Sequence, residues 1–179
     1  MPFNSYAIWT LGAVLLFWAF GAYNRLVRLR SQAIRAQEGL AKQLMRQIAL
    51  VHDRCGAVTV QGRPGAPASL LGAAEQLEGA LRAAQLQPLQ SLPTQALSTA
   101  WQVLEASWSR VASAPPDLAG SVLPDALRLQ WQEMARDAEE ARDDFNQKVV
   151  IYNQAIAQFP ALLLAGLFGW QRAETLGET

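Results

Sequence analysis

The chain has 179 residues, enough for about one domain. Its 15 Lys and Arg residues balance 15 Asp and Glu residues, which excludes a generally basic nucleic-acid-binding protein. Hydrophobic residues make up 51% and charged residues only 17%, so the chain is not disordered and a segment of it can lie in a membrane. A single cysteine excludes an intramolecular disulfide and a cysteine-rich metal cluster.

The N-terminal segment predicts a membrane-spanning helix. No charged side chain occurs over residues 1–24, and the run 6–23 would span about 27 Å as a helix, close to the ~30 Å hydrocarbon core of a bilayer. Aromatic residues lie near both ends of this run, as expected at the two membrane interfaces: Tyr6, Trp9, Trp18 and Tyr23. A cleaved signal peptide is the competing interpretation, but residues 1–6 lack the basic residue that it needs. We therefore predict a retained transmembrane helix over residues 6–23.

The charges beyond this span predict its orientation. Arg25, Arg28, Arg30 and Arg35 follow at once, and the first acidic residue is Glu38. By the positive-inside rule, the short N-terminus of residues 1–5 lies outside and the rest of the chain lies in the cytoplasm. Arginines this close to a bilayer also suit anionic lipid headgroups.

Periodic apolar residues predict four helices. No proline separates the span from the apolar stripe over 26–51, so the first helix should run from the membrane into water. A second helix fits 69–84 with Ser69 as its N-cap, a third fits 94–112, and a fourth fits 125–159. The fourth helix gives the strongest signal, with apolar residues spaced by three or four positions from Leu127: Trp131, Met134, Ala138, Ala141, Phe145, Val149, Tyr152, Ile156 and Phe159.

Amphipathic helices bury their stripes only against one another. The predicted fold is all-α: an N-terminal transmembrane helix continuing into an antiparallel bundle of about four helices, with long first and last helices, over 24–159. Pro160 should end or kink the last helix. Residues 160–179 then form an apolar segment and a short polar tail. The run 161–170 is too short to span a bilayer, so it either lies in the interface, with Phe168 and Trp170 inserted, or caps the bundle.

Candidate catalytic chemistry is sparse. The sequence lacks the glycine-rich nucleotide-binding motifs, the zinc-protease motif and the nucleophile elbow of hydrolases. His52, Asp53 and Cys55 cluster near the end of the first helix, but zinc sites usually recruit four ligands, and chance clustering is the favoured interpretation. The acidic run 137–144 fits a solvated helix face. Three tryptophans on apolar stripes are assigned to core packing: Trp101, Trp108 and Trp131. We predict no catalytic residue, metal or cofactor.

Two segments, YNRLVRLRSQAIRAQ at 23–37 and FNQKVVIYNQAIAQFPALLLAGLFGW at 145–170, resemble the LemA family of bacterial membrane proteins. In that family an anchor runs into a YN-x-L-V-x-L-R segment, and a long last helix bears YN…V…YN…FP before a glycine–aromatic pair. The first tyrosine of the second pattern is Phe145 here, and the middle of the chain diverges from the family pattern. The matching residues are Tyr23, Asn24, Leu26, Val27, Leu29, Arg30, Phe145, Asn146, Val149, Tyr152, Asn153, Phe159, Pro160 and Gly169, with Trp170 after it.

The resemblance implies a single-pass protein of the bacterial cytoplasmic (inner) membrane with a helical bundle, and it carries over no catalytic residue or cofactor. Our first hypothesis is a non-enzymatic scaffold or interaction module that contacts the lipid membrane and unidentified protein partners, but no nucleic acid. The second is a signalling or sensing adaptor in which the first helix couples the span to the bundle. An enzyme with a site in the bundle core is the third, disfavoured because candidate acids and metal ligands are lacking. A homo-oligomer is compatible with each.

Overall fold

The computed structural model describes residues 3–58, 68–113 and 123–177, and every regular element in these ranges is an α-helix. In chain order the helices are α1 (Phe3–Val58), α2 (Ala68–Leu86), α3 (Ser91–Ala112), α4 (Asp125–Ile156) and α5 (Ala161–Phe168). The all-α prediction is confirmed. The four predicted helices are present, and α5 is a fifth, short helix in the segment predicted only as apolar.

The first helix is unbroken from the apolar segment into the bundle. α1 has 56 residues, which corresponds to a length of about 84 Å. Its predicted stripe is buried from Leu26 through Leu40 and Leu44 to Val51, whereas the helix before Leu26 is largely exposed. Three glycines and two prolines over residues 56–68 predict a loop there, but α1 extends to Val58. The remainder of that loop lies outside the described residues.

The bundle is built on a long antiparallel pair, α1 and α4. Arg25 near one end of the pair donates a hydrogen bond from Nη1 to Gln158 Oε1 at 3.2 Å. Near the other end, Arg46 Nη1 lies 3.4 Å from Asp137 Oδ2. The shorter α2 and α3 form a hairpin that packs on α1 through α2. Two short helices therefore cover part of a long pair, as the helix lengths predict.

Aromatic packing closes the bundle between α3 and α4. The rings of Trp108 and Trp131 stack with their centroids 4.1 Å apart. The Arg142 guanidinium carbon lies 5.8 Å from the centroid of the Trp101 ring. All three tryptophans are buried, so their assignment to the core is confirmed. Ring stacking and a cation over a ring each add to the stabilisation from apolar burial.

Two helix starts differ from the sequence prediction. Ser69 lies inside α2, which begins at Ala68, so Ser69 is not the N-cap. α3 begins at Ser91, three residues before the predicted start, and contains Pro93 in its first turn. A proline is tolerated there because the first-turn N–H groups have no partner within the helix.

The fourth helix ends earlier than its apolar stripe suggests. α4 stops at Ile156, and Phe159, assigned to the buried stripe, is 64% exposed. Pro160 disfavours helical geometry in the residue before it, so the helix terminates ahead of the proline as expected. The chain then turns through 102° into α5.

Candidate membrane-facing site

An exposed apolar surface covers the first half of α1. Among the described helices α1 is long and apolar enough to cross a membrane, and only 6% of its most apolar window is buried. The exposed large side chains of this surface include Trp9, Leu11, Val14, Leu15, Leu16, Phe17, Trp18 and Phe20. A patch of this extent is avoided on soluble monomers and marks a membrane or protein contact.

The short helix α5 extends this surface. Its two buried residues, Ala161 and Ala165, are one helical turn apart and face the bundle. Small side chains at these positions let α5 approach α1 and α4, both of which it contacts. Four of the five bulky side chains of α5 remain exposed, and Leu164 is half-buried; the exposed ones are Leu162, Leu163, Leu167 and Phe168. α5 thus uses one narrow face for packing and presents most of its remaining surface outward.

Aromatic contacts hold α5 and the following residues against α1. The Tyr23 ring lies 5.2 Å from the Phe168 ring and 5.6 Å from the Trp170 ring, measured between centroids. Phe168 and Trp170 also stack on each other at 5.4 Å. Trp170 is half-buried, whereas Phe168 is exposed. The three rings form a cluster that we call the aromatic cluster, at the boundary between the apolar part of α1 and its arginines.

A glycine makes this aromatic cluster possible. Gly169 ends α5 with φ of 66°, a left-handed conformation that favours glycine. The turn allows the Trp170 N–H to donate to the Ala165 carbonyl at 2.8 Å, which satisfies a carbonyl at the helix end. The chain direction after this turn places the Trp170 ring on Tyr23. The glycine–aromatic pair of the sequence pattern therefore has a defined structural role.

The arginines that follow the apolar segment differ in their surroundings. Arg25 is held by Gln158, and Arg28 is exposed. Arg30 is half-buried beside Tyr152. Burial raises the pKa of the Tyr152 hydroxyl, and the positive charge and hydrogen bonding of Arg30 oppose that shift. Arg30 is therefore integrated into the bundle, whereas Arg28 projects into the surroundings.

Two asparagines on α4 fix the C-terminal tail, residues 169–177, along the bundle. Asn153 donates from Nδ2 to the Ala173 carbonyl at 2.8 Å and accepts at Oδ1 from the Ala173 N–H at 2.9 Å. Asn146 donates from Nδ2 to the Leu176 carbonyl at 2.9 Å and accepts at Oδ1 from the Leu176 N–H at 2.8 Å. Each side-chain amide thus pairs with one backbone residue as a neighbouring strand would. We call this pair of contacts the asparagine clamp.

The spacing of the asparagine clamp follows from helix and strand geometry. Asn146 and Asn153 are seven residues apart, about 10.5 Å along a helix axis. Ala173 and Leu176 are three residues apart, about 10 Å in an extended chain. The two distances agree, so an extended tail running antiparallel to α4 meets both amides in register. Both tail residues are buried, and Tyr152 adds a hydrogen bond from its hydroxyl to the Gln171 carbonyl at 3.3 Å.

The predicted site residues separate into outward and inward groups. Trp9, Trp18, Arg25, Arg28 and Phe168 are exposed, Tyr23, Arg30 and Trp170 are half-buried, and the side chain of Tyr6 lies outside the described set. Of the pattern residues, several face the core: Leu26, Phe145, Val149 and Tyr152. Asn24, Val27 and Phe159 are exposed, and Leu29 and Pro160 are half-buried. The ring of Phe159 contacts that of Trp18 at 5.1 Å.

Of the three potential metal ligands near the end of α1, the structure describes the side chains of two. His52 and Asp53 are exposed, and the side chain of Cys55 lies outside the described residues. Among the described side chains, no group of three or more His, Cys, Asp and Glu residues is arranged to hold a metal.

The sequence patterns did not predict the hydrogen-bonding partners of Arg25, Asn146 and Asn153. Gln158 and the backbone of Ala173 and Leu176 were not identified, because hydrogen-bonding partners across a fold leave no periodic signal. The seven-residue spacing of Asn146 and Asn153 on one helix was the available indication, since it places both amides on the same face.

The family model named LemA family matches residues 70–178, about three fifths of the chain. The match includes the second resembling segment, 145–170, with the asparagine clamp and the aromatic pair, and it begins after the first segment, 23–37. No curated protein and no solved structure matches the chain. The matched range covers α2 from Leu70 onward, α3, α4, α5 and the tail, and the chain belongs to the LemA family.

Proposed function

We propose that this chain is a non-enzymatic, single-pass scaffold or interaction module at the inner face of a bacterial cytoplasmic membrane. The observation that supports the anchor is the exposed apolar surface shared by α1 and α5. Exposure of such a surface to water is unfavourable by about 25 cal/mol per Å², and transfer into lipid removes this cost. Membership in the LemA family agrees with a membrane-anchored helical protein.

The proposed orientation places the N-terminus outside and the bundle in the cytoplasm. Arg25 and Arg28 are exposed at the bundle end of the apolar surface, where the positive-inside rule expects cytoplasmic charges. The aromatic cluster of Tyr23, Phe168 and Trp170 is at the same level, as expected for aromatic side chains at an interface. α5 turns by 102° from α4, which runs antiparallel to α1. α5 would therefore lie across the anchor, close to the membrane plane.

Cysteine labelling in intact cells tests the anchor and its orientation together. A Ser5→Cys, Cys55→Ser chain should react with a membrane-impermeant maleimide once the outer membrane is permeabilised. The chain with native Cys55 as its single cysteine should react only after the inner membrane is opened. Reaction of Cys55 in intact inner membranes would contradict the orientation. Extraction of the full chain by alkaline carbonate would contradict the anchor itself.

The scaffold role is tested by crosslinking in the membrane. Photo-crosslinking groups on the exposed face of α4, at Glu140 and Gln147, should capture defined proteins that mass spectrometry identifies repeatedly. The same groups at Trp9 and Leu16, on the lipid-facing surface, serve as the matched control and should capture mainly lipid. The same background proteins at all four positions would contradict a specific interaction module.

The unbroken α1 supports a second candidate, a signalling or sensing adaptor. A helix with no break between Phe20 and Leu29 can transmit a tilt or rotation of the span to the bundle. Insertion of four glycines after Asn24 would uncouple the span from the bundle while keeping both segments in the chain. An adaptor should then lose any stimulus-dependent change in its crosslinked partners, whereas a scaffold should retain the same partners.

A further inference from the structure

A cationic cavity lies at the membrane-facing end of the bundle, apart from the asparagine clamp. Its volume is about 470 Å³. This lies within the range of roughly 300–1,000 Å³ that is typical of small-ligand sites. Four segments meet there: α1, the α2–α3 turn, α4 and the start of the tail. The side chains that give the cavity its character are Arg30, Leu92, Tyr152, Trp170 and Arg172.

The charge of this cavity is uncompensated. Its lining includes two arginines, Arg30 and Arg172, and no carboxylate. Among the described residues neither arginine forms an ion pair with an Asp or Glu side chain. An anion bound there would face the half-buried Arg30 and the exposed Arg172, with no carboxylate of the lining to compete with it. Guanidinium groups bind phosphate oxygens in bidentate geometry, which makes a phosphate group the best-fitting ligand.

The position of Arg30 along α1 matches the headgroup layer, provided that α1 is the membrane anchor proposed above. Arg30 is seven residues past Tyr23, about 10.5 Å farther along the helix. Side chains in a helix lean toward its N-terminus, so the guanidinium reaches back toward the aromatic cluster. The headgroup region extends roughly 5–8 Å beyond each side of the hydrocarbon core. The guanidinium therefore lies within reach of lipid phosphates.

The apolar rim of the cavity favours a lipid over a soluble anion. Leu92, which lines the cavity, is 79% exposed, and Leu86 across the α2–α3 turn is also exposed. Trp170 forms part of the rim and stacks on Tyr23 at the anchor. A site for a free anion gains nothing from exposed leucines, whereas a lipid bound by its phosphate brings glycerol and acyl groups against them.

We propose that this cavity binds the phosphate of an anionic phospholipid through Arg30 and Arg172, with Leu92 and Trp170 flanking the lipid. The site fixes one lipid at the junction of α1, the α2–α3 turn and the tail. The bundle is thereby held in a defined orientation against the bilayer, beyond the attachment that α1 alone provides.

Lipid titration of the full chain in a neutral detergent tests the site. The probes are short-chain phosphatidylglycerol, short-chain phosphatidylcholine and inorganic phosphate, with bound lipid counted by native mass spectrometry. We expect the native chain to prefer phosphatidylglycerol over both other probes. The Arg30→Gln, Arg172→Gln double variant should weaken phosphatidylglycerol binding by about tenfold or more, because it removes two charge-assisted contacts.

Arg28→Gln is the matched control, since Arg28 is exposed on the same helix and does not line the cavity. This variant should change lipid binding by less than about twofold if general surface charge is not responsible. An equal loss in Arg28→Gln, or no loss in the double variant, would overturn the proposal. Inorganic phosphate binding as tightly as phosphatidylglycerol would overturn the lipid as the ligand. Circular dichroism melts check that each variant is folded.

Carbonate extraction of the same variants separates this proposal from the anchor. The double variant should stay in the membrane fraction, because the apolar surface of α1 is unchanged. Release of the native chain would contradict the proposed anchor, whereas retained anchoring with unchanged lipid preference in the double variant contradicts only the lipid site.

Discussion

Loss of one amide of the asparagine clamp should release the C-terminal tail. Asn153→Ala removes two hydrogen bonds, at 2.8 and 2.9 Å, and leaves the N–H and carbonyl of Ala173 without their partner. A neutral hydrogen bond contributes a net 0.5–1.5 kcal/mol, so we expect a loss of about 1–3 kcal/mol. Release of the tail lets water hydrogen-bond to the Ala173 N–H and carbonyl, which keeps the cost within this range.

Hydrogen exchange of the full chain in detergent measures this effect locally. The amide of Ala173 should exchange about 5- to 160-fold faster in Asn153→Ala, the ratio that corresponds to this free energy. Gln154→Ala is the control, because Gln154 is exposed on the same helix, and it should change stability by less than about 0.5 kcal/mol. Unchanged exchange at Ala173 would refute the assignment of the tail contacts to Asn153.

Combining both asparagine substitutions tests whether the tail is bound as one unit. If the tail detaches all at once, Asn146→Ala added to Asn153→Ala should cost less than the sum of the two single effects. Each single substitution would then already release the segment that the other amide holds. Simple additivity in a double-mutant cycle would instead show that the two amides bind independently.

Three further substitutions test the core, a carboxyl group and a turn. Phe145→Ala, at a side chain with 0% exposure, should cost about 3–5 kcal/mol in thermal melts, whereas exposed Gln147→Ala should cost under about 0.5 kcal/mol. Burial, then the nearby Glu139 carboxylate, raises the pKa of Glu105 above its ordinary 4.5. The folded chain therefore binds the Glu105 proton more tightly than the unfolded chain, and the free energy of unfolding falls as pH rises through the titration of Glu105. Glu105→Gln should raise the Tm above that of the native chain at pH 7, and by less at pH 4. Gly169→Val should shift tryptophan fluorescence, because its φ of 66° is strained for a branched residue; an unchanged spectrum would contradict the turn.

The long helices of this fold are predictable because their apolar pattern repeats over many turns. The stripe from Leu127 to Ile156 is spaced by three or four residues and is buried at most of its positions. The same regularity predicted the continuation of α1 from the apolar segment to Val51. Such patterns persist whatever the neighbouring helices are, since each stripe needs only some apolar partner.

Helix ends and the membrane-facing site were less predictable. Phe159 continues the spacing of α4, yet the helix stops before Pro160, because local backbone geometry and not periodicity sets the end. The cavity between Arg30 and Arg172 joins residues far apart in the chain, and only the assembled bundle brings them together. The asparagine clamp likewise depends on the register between an extended tail and a helix, which composition and periodicity do not encode.

The antiparallel pairing of α1 with α4 determines the order in which the chain folds during synthesis. Arg25 and Gln158 are 133 positions apart, and Arg46 and Asp137 are 91 apart, so these contacts wait until α4 has been made. The α2–α3 hairpin is local and forms much earlier. Meanwhile α1 has already emerged, and its bundle stripe has only α2 to cover it. The half-synthesised chain is therefore the species most open to aggregation and to proteases, and arrival of α4 ends that exposure.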